Sequence, residues 1–234
     1  MRSRIAVLAS GGGTNLQAIL DYLEAIGDRR SGDVVLVASN RRDAGALDRA
    51  RSRGIATAVL AGAPRADAPA LGAVLAEQRI DLVVLAGYLK LIPADVIDAY
   101  TGRIVNVHPA LLPAFGGPGM YGQRVHQAVI ESGARVTGVT AHFVDREYDR
   151  GRIIAQWPVP VFAGDDAASL AARVLRVEHL LFPRVVDAVA GGRVTLANCA
   201  TAAERSLLDA RPAFTLFPHE NSRLAENMEL VLGC

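Results

Sequence analysis

The chain has 234 residues, a length that suits one α/β domain or at most two small ones. The 25 Lys and Arg residues against 24 Asp and Glu leave a net charge of +1, which argues against a partner held by bulk charge, such as DNA or an anionic membrane. Hydrophobic residues make up 51% of the chain, too many for a disordered protein.

Four short apolar runs in the first hundred residues each precede an amphipathic stretch, which is typical of β-α units. Strands are predicted at 5–9, 34–38, 55–60 and 82–86, helices at 15–26, 44–53, 66–78 and 93–100, and a fifth strand at 104–108. Pro93 is expected at the first position of its helix. This order predicts a doubly wound, mostly parallel sheet with right-handed crossovers.

The pattern changes after the fifth strand. A Gly/Pro-rich loop at 113–122 precedes a predicted helix at 123–132. Strands at 136–143 and 153–161 are joined by an acidic loop, which favours an antiparallel pair. The last predicted element is a long helix at 167–189, interrupted near Pro183 because proline breaks helix hydrogen bonding.

Cysteine and lysine usage limits the chemistry and the compartment. Cys199 and Cys234 are too few for a disulfide framework, which predicts a reducing compartment. Lys90 is the sole lysine, which disfavours a lysine-based phosphate loop or Schiff base. The run at 5–9 is too short for a signal peptide, and the uncharged stretch at 104–123 contains three prolines and four glycines, unlike a membrane helix. We therefore expect a cytoplasmic protein.

The first strand and first helix are joined by the turn Ser-Gly-Gly-Gly-Thr-Asn at 10–15. Glycines let the backbone approach a ligand, Thr14 and Asn15 are suited to cap the helix, and the free N–H groups there suit a phosphate. A plain tight turn explains the same pattern. Because Leu16 replaces the third glycine of the dinucleotide fingerprint and no Gly-Lys-Ser/Thr motif is present, a monophosphate is favoured over NAD or ATP.

The fifth strand ends with two polar side chains, Asn106 and His108. They lie two residues apart and so point to the same face, at the sheet edge where α/β proteins bind ligands. An amide donor beside an imidazole suits a polarised carbonyl that must be held and protonated. A histidine satisfied by the adjoining loop is the alternative.

Other polar residues allow a functional and a structural interpretation. Asp145 and Glu147 lie in the acidic loop, where charge is usually just solvated, and Asp149 differs from them only by the strand that follows it. His142 lies inside an apolar strand, which favours a core or lining histidine over a catalyst. Glu178 lies on the long helix, where charged residues normally form a solvated face. The histidines and cysteines lack metal-ligand spacing, so no metal site is predicted.

Together these motifs resemble the phosphoribosylglycinamide formyltransferase family, folate-dependent enzymes of purine synthesis. The resembling blocks occur in the family's order at 6–19, 38–41, 85–92, 106–113, 142–144, 149–156 and 178–179. The resemblance implies a Rossmann-like formyltransferase domain at 1–195, with a phosphate-binding half at 1–100 and a folate-binding and catalytic half at 101–195. Residues 196–234 are expected to be a tail of unknown role.

The resemblance also implies the reaction: transfer of a formyl group from the co-substrate 10-formyltetrahydrofolate to the amine of 5'-phosphoribosylglycinamide. The implied catalytic residues are Asn106, His108 and Asp149, the last keeping the imidazole charged. The implied substrate-binding residues are Gly13, Thr14, Asn15 and Glu178. The implied folate-binding residues are Arg65, Leu89, Lys90, Leu91, Ile92, Asn106, Asp145 and Asp149.

Two departures and three rival functions stay open. The loop at 115–124 is longer than in many members, and the tail beyond about 197 has no counterpart. A tRNA formyltransferase would need a further RNA-binding domain, and a formyl-folate hydrolase would not need the glycine turn. A nucleotide-binding module without transfer chemistry is disfavoured by the missing third glycine. We expect small-molecule substrates, no nucleic acid or membrane partner, and a monomer or homodimer.

Overall fold

The computed structural model describes residues 1–60 and 70–200. Arg65, Cys234, the start of the helix predicted at 66–78 and most of the predicted tail lie outside the described residues. Within the two described ranges, no helix combines the length and apolarity needed to cross a bilayer.

The described strands form one sheet. Their bounds are β1 Ser3–Leu8, β2 Gly32–Ser39, β3 Ala56–Val59, β4 Leu82–Leu85, β5 Ile104–His108, β6 Val136–Phe143 and β7 Ile153–Pro160. The strand order is β3-β2-β1-β4-β5-β6-β7. Pairs from β3 to β5 are parallel, and β6 and β7 are antiparallel to their neighbours. The prediction of a mostly parallel sheet with antiparallel strands in the second half is confirmed.

Helices cover both faces of this sheet. Their bounds are α1 Thr14–Ile26, α2 Gly45–Ser52, α3 Leu71–Glu77, α4 Ala94–Ala99, α5 Gln123–Glu131 and α6 Ala167–Ala190. Because neighbouring side chains on a strand point to opposite faces, Ile5 and Val7 of β1 pack with α1, α2, α5 and α6, whereas Ala6 and Leu8 pack with α3 and α4. Both faces of β1 are therefore buried, as expected of a central parallel strand.

Two expectations about prolines are wrong. Helix α6 continues through Pro183 without interruption. Proline removes one helix hydrogen bond, but Phe182 and Val185 on either side are wholly buried, so packing against the sheet holds the helix. Pro93 is the N-cap of α4, in an extended conformation (φ −56°, ψ 143°), and not its first helical residue.

Strand order places a crevice at the carboxyl ends of β1 and β4. The chain moves outward from β1 to β3 and then returns to β4 on the other side of β1. The loops that follow β1 and β4 therefore lead to opposite sides of the sheet and leave a crevice between them. Buried Ser10 ties these loops together: its N–H donates to Gly87 O (3.0 Å), and its Oγ accepts from Leu89 N–H (2.9 Å). Ser10 Oγ also donates to Oδ1 of Asn40 after β2 (2.6 Å). One serine thus fixes three loops around the crevice.

Candidate active site

A cavity of about 520 Å³ lies at the carboxyl ends of β1, β4 and β5, a volume suited to a small-molecule site. Most predicted site residues meet in its wall: Asn15, Leu89, Lys90, Leu91, Ile92, Asn106, His108, Asp145, Asp149 and Glu178. Gly13 and Thr14 are not part of that wall, and Arg65 lies outside the described residues.

Gly13 is the N-cap of α1, in the left-handed conformation (φ +75°). A Cβ at this position would lie 2.7 Å from Cα of Ala46. Glycine therefore allows α1 and α2 to approach each other closely. The expectation that Thr14 and Asn15 cap α1 is wrong, because both already lie in its first turn and no side chain caps it.

The side chain of Asn15 lies in the cavity wall and joins α1 to α6. Its Nδ2 donates a hydrogen bond of 2.6 Å to Oε2 of Glu178. Glu178 is buried, so its alternative interpretation as a solvated helix residue is wrong. Burial raises the pKa of the Glu178 carboxyl, and the bond from Asn15 opposes this shift in part. Oδ1 of Asn15 is buried without a partner in the described chain, so this pair keeps capacity to bind a ligand.

Asn106 and His142 face each other across the β5–β6 ladder. Nδ1 of His142 lies 2.9 Å from the carbonyl oxygen of Phe143, which only accepts, so Nδ1 carries the hydrogen. Nε2 of the neutral ring is then an acceptor for Nδ2 of Asn106, 3.1 Å away. This bond fixes the orientation of the Asn106 amide and leaves its second N–H available. The sequence interpretation of His142 as a lining histidine is confirmed, but this contact with Asn106 was missed.

His108 and Asp149 approach each other at the same end of the cavity. Nδ1 of His108 lies 3.6 Å from Oδ2 of Asp149, and Nε2 of His142 lies 3.7 Å from Oδ1 of Asp149. Nε2 of His108 donates to the carbonyl oxygen of Phe115 at 2.8 Å. The adjoining loop thus bonds the histidine, as the alternative interpretation expected, while Nδ1 faces the carboxylate.

Burial decides the charge of His108. Removal from water lowers the pKa of His108 below its ordinary 6.5, and this outweighs the upward effects of Asp149 and of the Phe115 carbonyl. The expectation that Asp149 keeps the imidazole charged is therefore wrong for the protein without ligands. The free protein has a neutral imidazole at neutral pH, with its hydrogen on Nε2.

The Gly/Pro-rich loop holds both members of this pair. Gly117 N–H donates to Oδ2 of Asp149 at 2.9 Å, two residues after the carbonyl of Phe115 that binds His108. Phe115 and Asp149 both have positive φ, at 57° and 55°. The loop continues along the cavity wall through residues 117–123. The long loop is therefore part of the site and not an insertion remote from it.

The cavity lining also includes large apolar side chains, which we call the apolar wall. They are Leu89 and Leu91, which are about half exposed (49% and 52%), and the exposed Tyr121 and Tyr148. Large apolar side chains exposed beside a polar centre are typical of a ligand-binding surface. Lys90 is exposed beside them.

Comparisons with known proteins show the family to which this chain belongs. A family model described as formyl transferase matches residues 3–186. The chain is 48% identical over 199 residues to a protein of Arabidopsis thaliana named phosphoribosylglycinamide formyltransferase, chloroplastic, covering 82% of this chain and 67% of that protein. It is 39% identical to the phosphoribosylglycinamide formyltransferase of Escherichia coli, covering 82% and 89%. The crystal structure of glycinamide ribonucleotide transformylase 1 from Symbiobacterium toebii superposes with a TM-score of 0.75 at 41% identity, covering 82% and 89%.

Proposed function

Since this chain belongs to the formyl transferase family, we propose that it transfers the formyl group of 10-formyltetrahydrofolate to the amine of 5'-phosphoribosylglycinamide. The products are formylglycinamide ribonucleotide and tetrahydrofolate, in de novo purine biosynthesis. The observation that carries this proposal is the group formed by Asn106, His108 and Asp149 at the end of β5, inside a cavity with one apolar and one polar wall.

The acceptor is proposed to bind at the polar wall, which is the part of the cavity lining formed by Asn15 and Glu178, with its phosphate just beyond that lining at the start of α1. Gly13, Thr14 and Asn15 form the start of α1, where unpaired N–H groups and the helix dipole favour a phosphate. With the sole lysine on the other wall, these N–H groups are the donors that we assign to the phosphate. The buried Asn15–Glu178 pair then binds the ribose or glycinamide portion of the acceptor.

The folate is proposed to bind at the apolar wall. The segment 89–92 contacts the pterin, with Leu89 and Leu91 supplying apolar surface, and the loop with Asp145 and Asp149 lies beside it. Arg65 is proposed to meet the negatively charged tail of the folate. We propose one formyltransferase domain at 1–195, in which the phosphate-binding half at 1–100 also supplies Arg65 and the segment 89–92 to the folate, and the folate-binding and catalytic half at 101–195 also supplies Glu178 to the acceptor.

The reaction joins the acceptor nitrogen to the formyl carbon and breaks the bond from that carbon to N10. The second N–H of Asn106 donates to the formyl oxygen as it gains negative charge, and the His108 ring, positively charged once it takes the proton of the amine, stabilises that charge from beside it. Asp149 faces both histidines and stabilises the positive charge that the His108 ring carries while a proton passes from the amine to N10.

An absorbance assay of tetrahydrofolate release tests the proposal. Asn106→Ala and His108→Ala should each lower kcat by about 10²-fold or more, with both KM values changing only a few-fold, because these groups act on the transition state. Asp43→Asn, at an exposed ion pair outside the cavity, is the control. A His108→Ala enzyme with a normal kcat would contradict the assignment. Deformylation without acceptor would indicate a hydrolase, and binding of NAD in place of folate a nucleotide-binding module.

We place the enzyme in the cytoplasm, with small molecules as its only substrates, no nucleic-acid partner, and a monomer or homodimer as its assembly. Fractionation of the source cells tests the location, and light scattering of the purified chain tests the assembly. The plant relative named above is a chloroplastic protein, so a plastid-like compartment is the competing outcome of the fractionation.

A further inference from the structure

His126 is a buried histidine of the cavity wall with no role in the reaction described so far. It lies on α5, is 5% exposed, and lines the cavity together with His108 and Glu178. Its Nδ1 is buried without a hydrogen-bond partner among the described residues. A buried polar group without a partner is rare in folded proteins and indicates a missing ligand or water.

The position of His126 favours contact with the acceptor over contact with the folate. Helix α5 packs against α6, which carries Glu178 and supplies Ala171 and Leu175 to the same wall. The apolar segment at 89–92 comes from another element, after β4. His126 lines the same cavity as His108, the ring that we propose acts on the transferred group.

The protonation state of His126 indicates which part of the acceptor its ring can bind. Burial, and then the neighbouring His108, lower the pKa of His126 below 6.5, so the ring is neutral at physiological pH. A neutral imidazole offers one donor and one acceptor and no charge for a phosphate. Glycinamide, with its amide and amine, presents the complementary donors and acceptor.

We propose that His126 is a further residue of the acceptor site, whose imidazole hydrogen-bonds to the glycinamide end of the acceptor and so contributes to acceptor affinity and selectivity. This inference rests on the proposed function, because that function identifies the acceptor. It assigns to α5 a share in substrate binding that the glycine turn and Glu178 do not supply.

Steady-state kinetics with varied glycinamide ribonucleotide test the inference. His126→Leu should raise the KM for the acceptor by about three- to tenfold, the effect of losing one neutral hydrogen bond, with kcat and the KM for formyl-folate within about twofold of wild type. His126→Gln, which keeps a donor and an acceptor, should restore the acceptor KM to within about twofold. His179→Leu is the matched control, because His179 also has a buried nitrogen without a partner but does not line the cavity.

Three results of these measurements would contradict the inference. An unchanged acceptor KM in His126→Leu, an equal rise in the Leu and Gln variants, or a rise in the formyl-folate KM alone would overturn it. If His126→Leu does not fold, as judged by a lost melting transition, His126→Ala replaces it. Alanine also lacks the hydrogen-bonding atoms and should raise the acceptor KM too, and an unchanged value would again overturn the inference. Absence of acceptor-dependent activity in the wild type would instead overturn the proposed function.

Discussion

Replacement of Gly13 by alanine tests the packing role of the glycine turn through the stability of the protein. The left-handed φ of +75° costs an L-residue about 1–2 kcal/mol. The new methyl would also lie 2.7 Å from Cα and 2.8 Å from Cβ of Ala46, and overpacking of this kind costs about 1–3 kcal/mol. The smaller entropy of unfolded alanine offsets part of this, so we expect a net loss of about 2–4 kcal/mol.

Gly12→Ala is the matched control for this variant. A Cβ at Gly12 would meet nothing within 4 Å, and its φ is outside the left-handed region, so its stability should change by less than about 0.5 kcal/mol. Urea unfolding followed by circular dichroism measures both, and Gly13→Ala should lower the midpoint by about 1–2 M. Equal midpoints for the two variants would refute the argument that α1 and α2 require glycine at this contact.

Two further predictions concern pH and charge. Burial lowers the pKa of every histidine in the described chain, so the unfolded state binds protons first as the pH falls below about 6.5. The histidines should therefore lower the unfolding free energy between pH 7 and 5.5, while buried Glu178, with its raised pKa, acts in the opposite direction. His142→Gln should make the unfolding free energy fall less over this range, and a slope equal to that of the wild type would contradict the cause. Arg173 makes two short bonds to Asp165 (2.6 and 2.7 Å) and is the main cause that lowers the pKa of that carboxyl to about 2. Asp165→Asn should destabilise the protein by about 2 kcal/mol, whereas Asp43→Asn, at an exposed ion pair, should leave the urea midpoint close to that of the wild type.

Local sequence patterns determined the elements of this protein. The strands at 104–108 and 136–143 were predicted with the bounds that the structure has, because apolar periodicity and the flanking turn residues are local signals. The same signals placed Asn106 and His108 on one face at the carboxyl edge of the sheet. The prediction that the helix is interrupted at Pro183 was wrong. Burial of the residues on both sides of the proline outweighed the local tendency of proline to break a helix.

Only the tertiary structure decided which residues of the site contact one another. The bond from Asn15 to Glu178 joins residues 163 positions apart, and the facing of Asn106 and His142 depends on a strand register that no local pattern specifies. The charge of His108 likewise followed from burial and not from its partner Asp149, because desolvation depends on all the surrounding atoms. Sequence thus determined which chemical groups are present and on which elements, while packing determined which groups meet and in which protonation state.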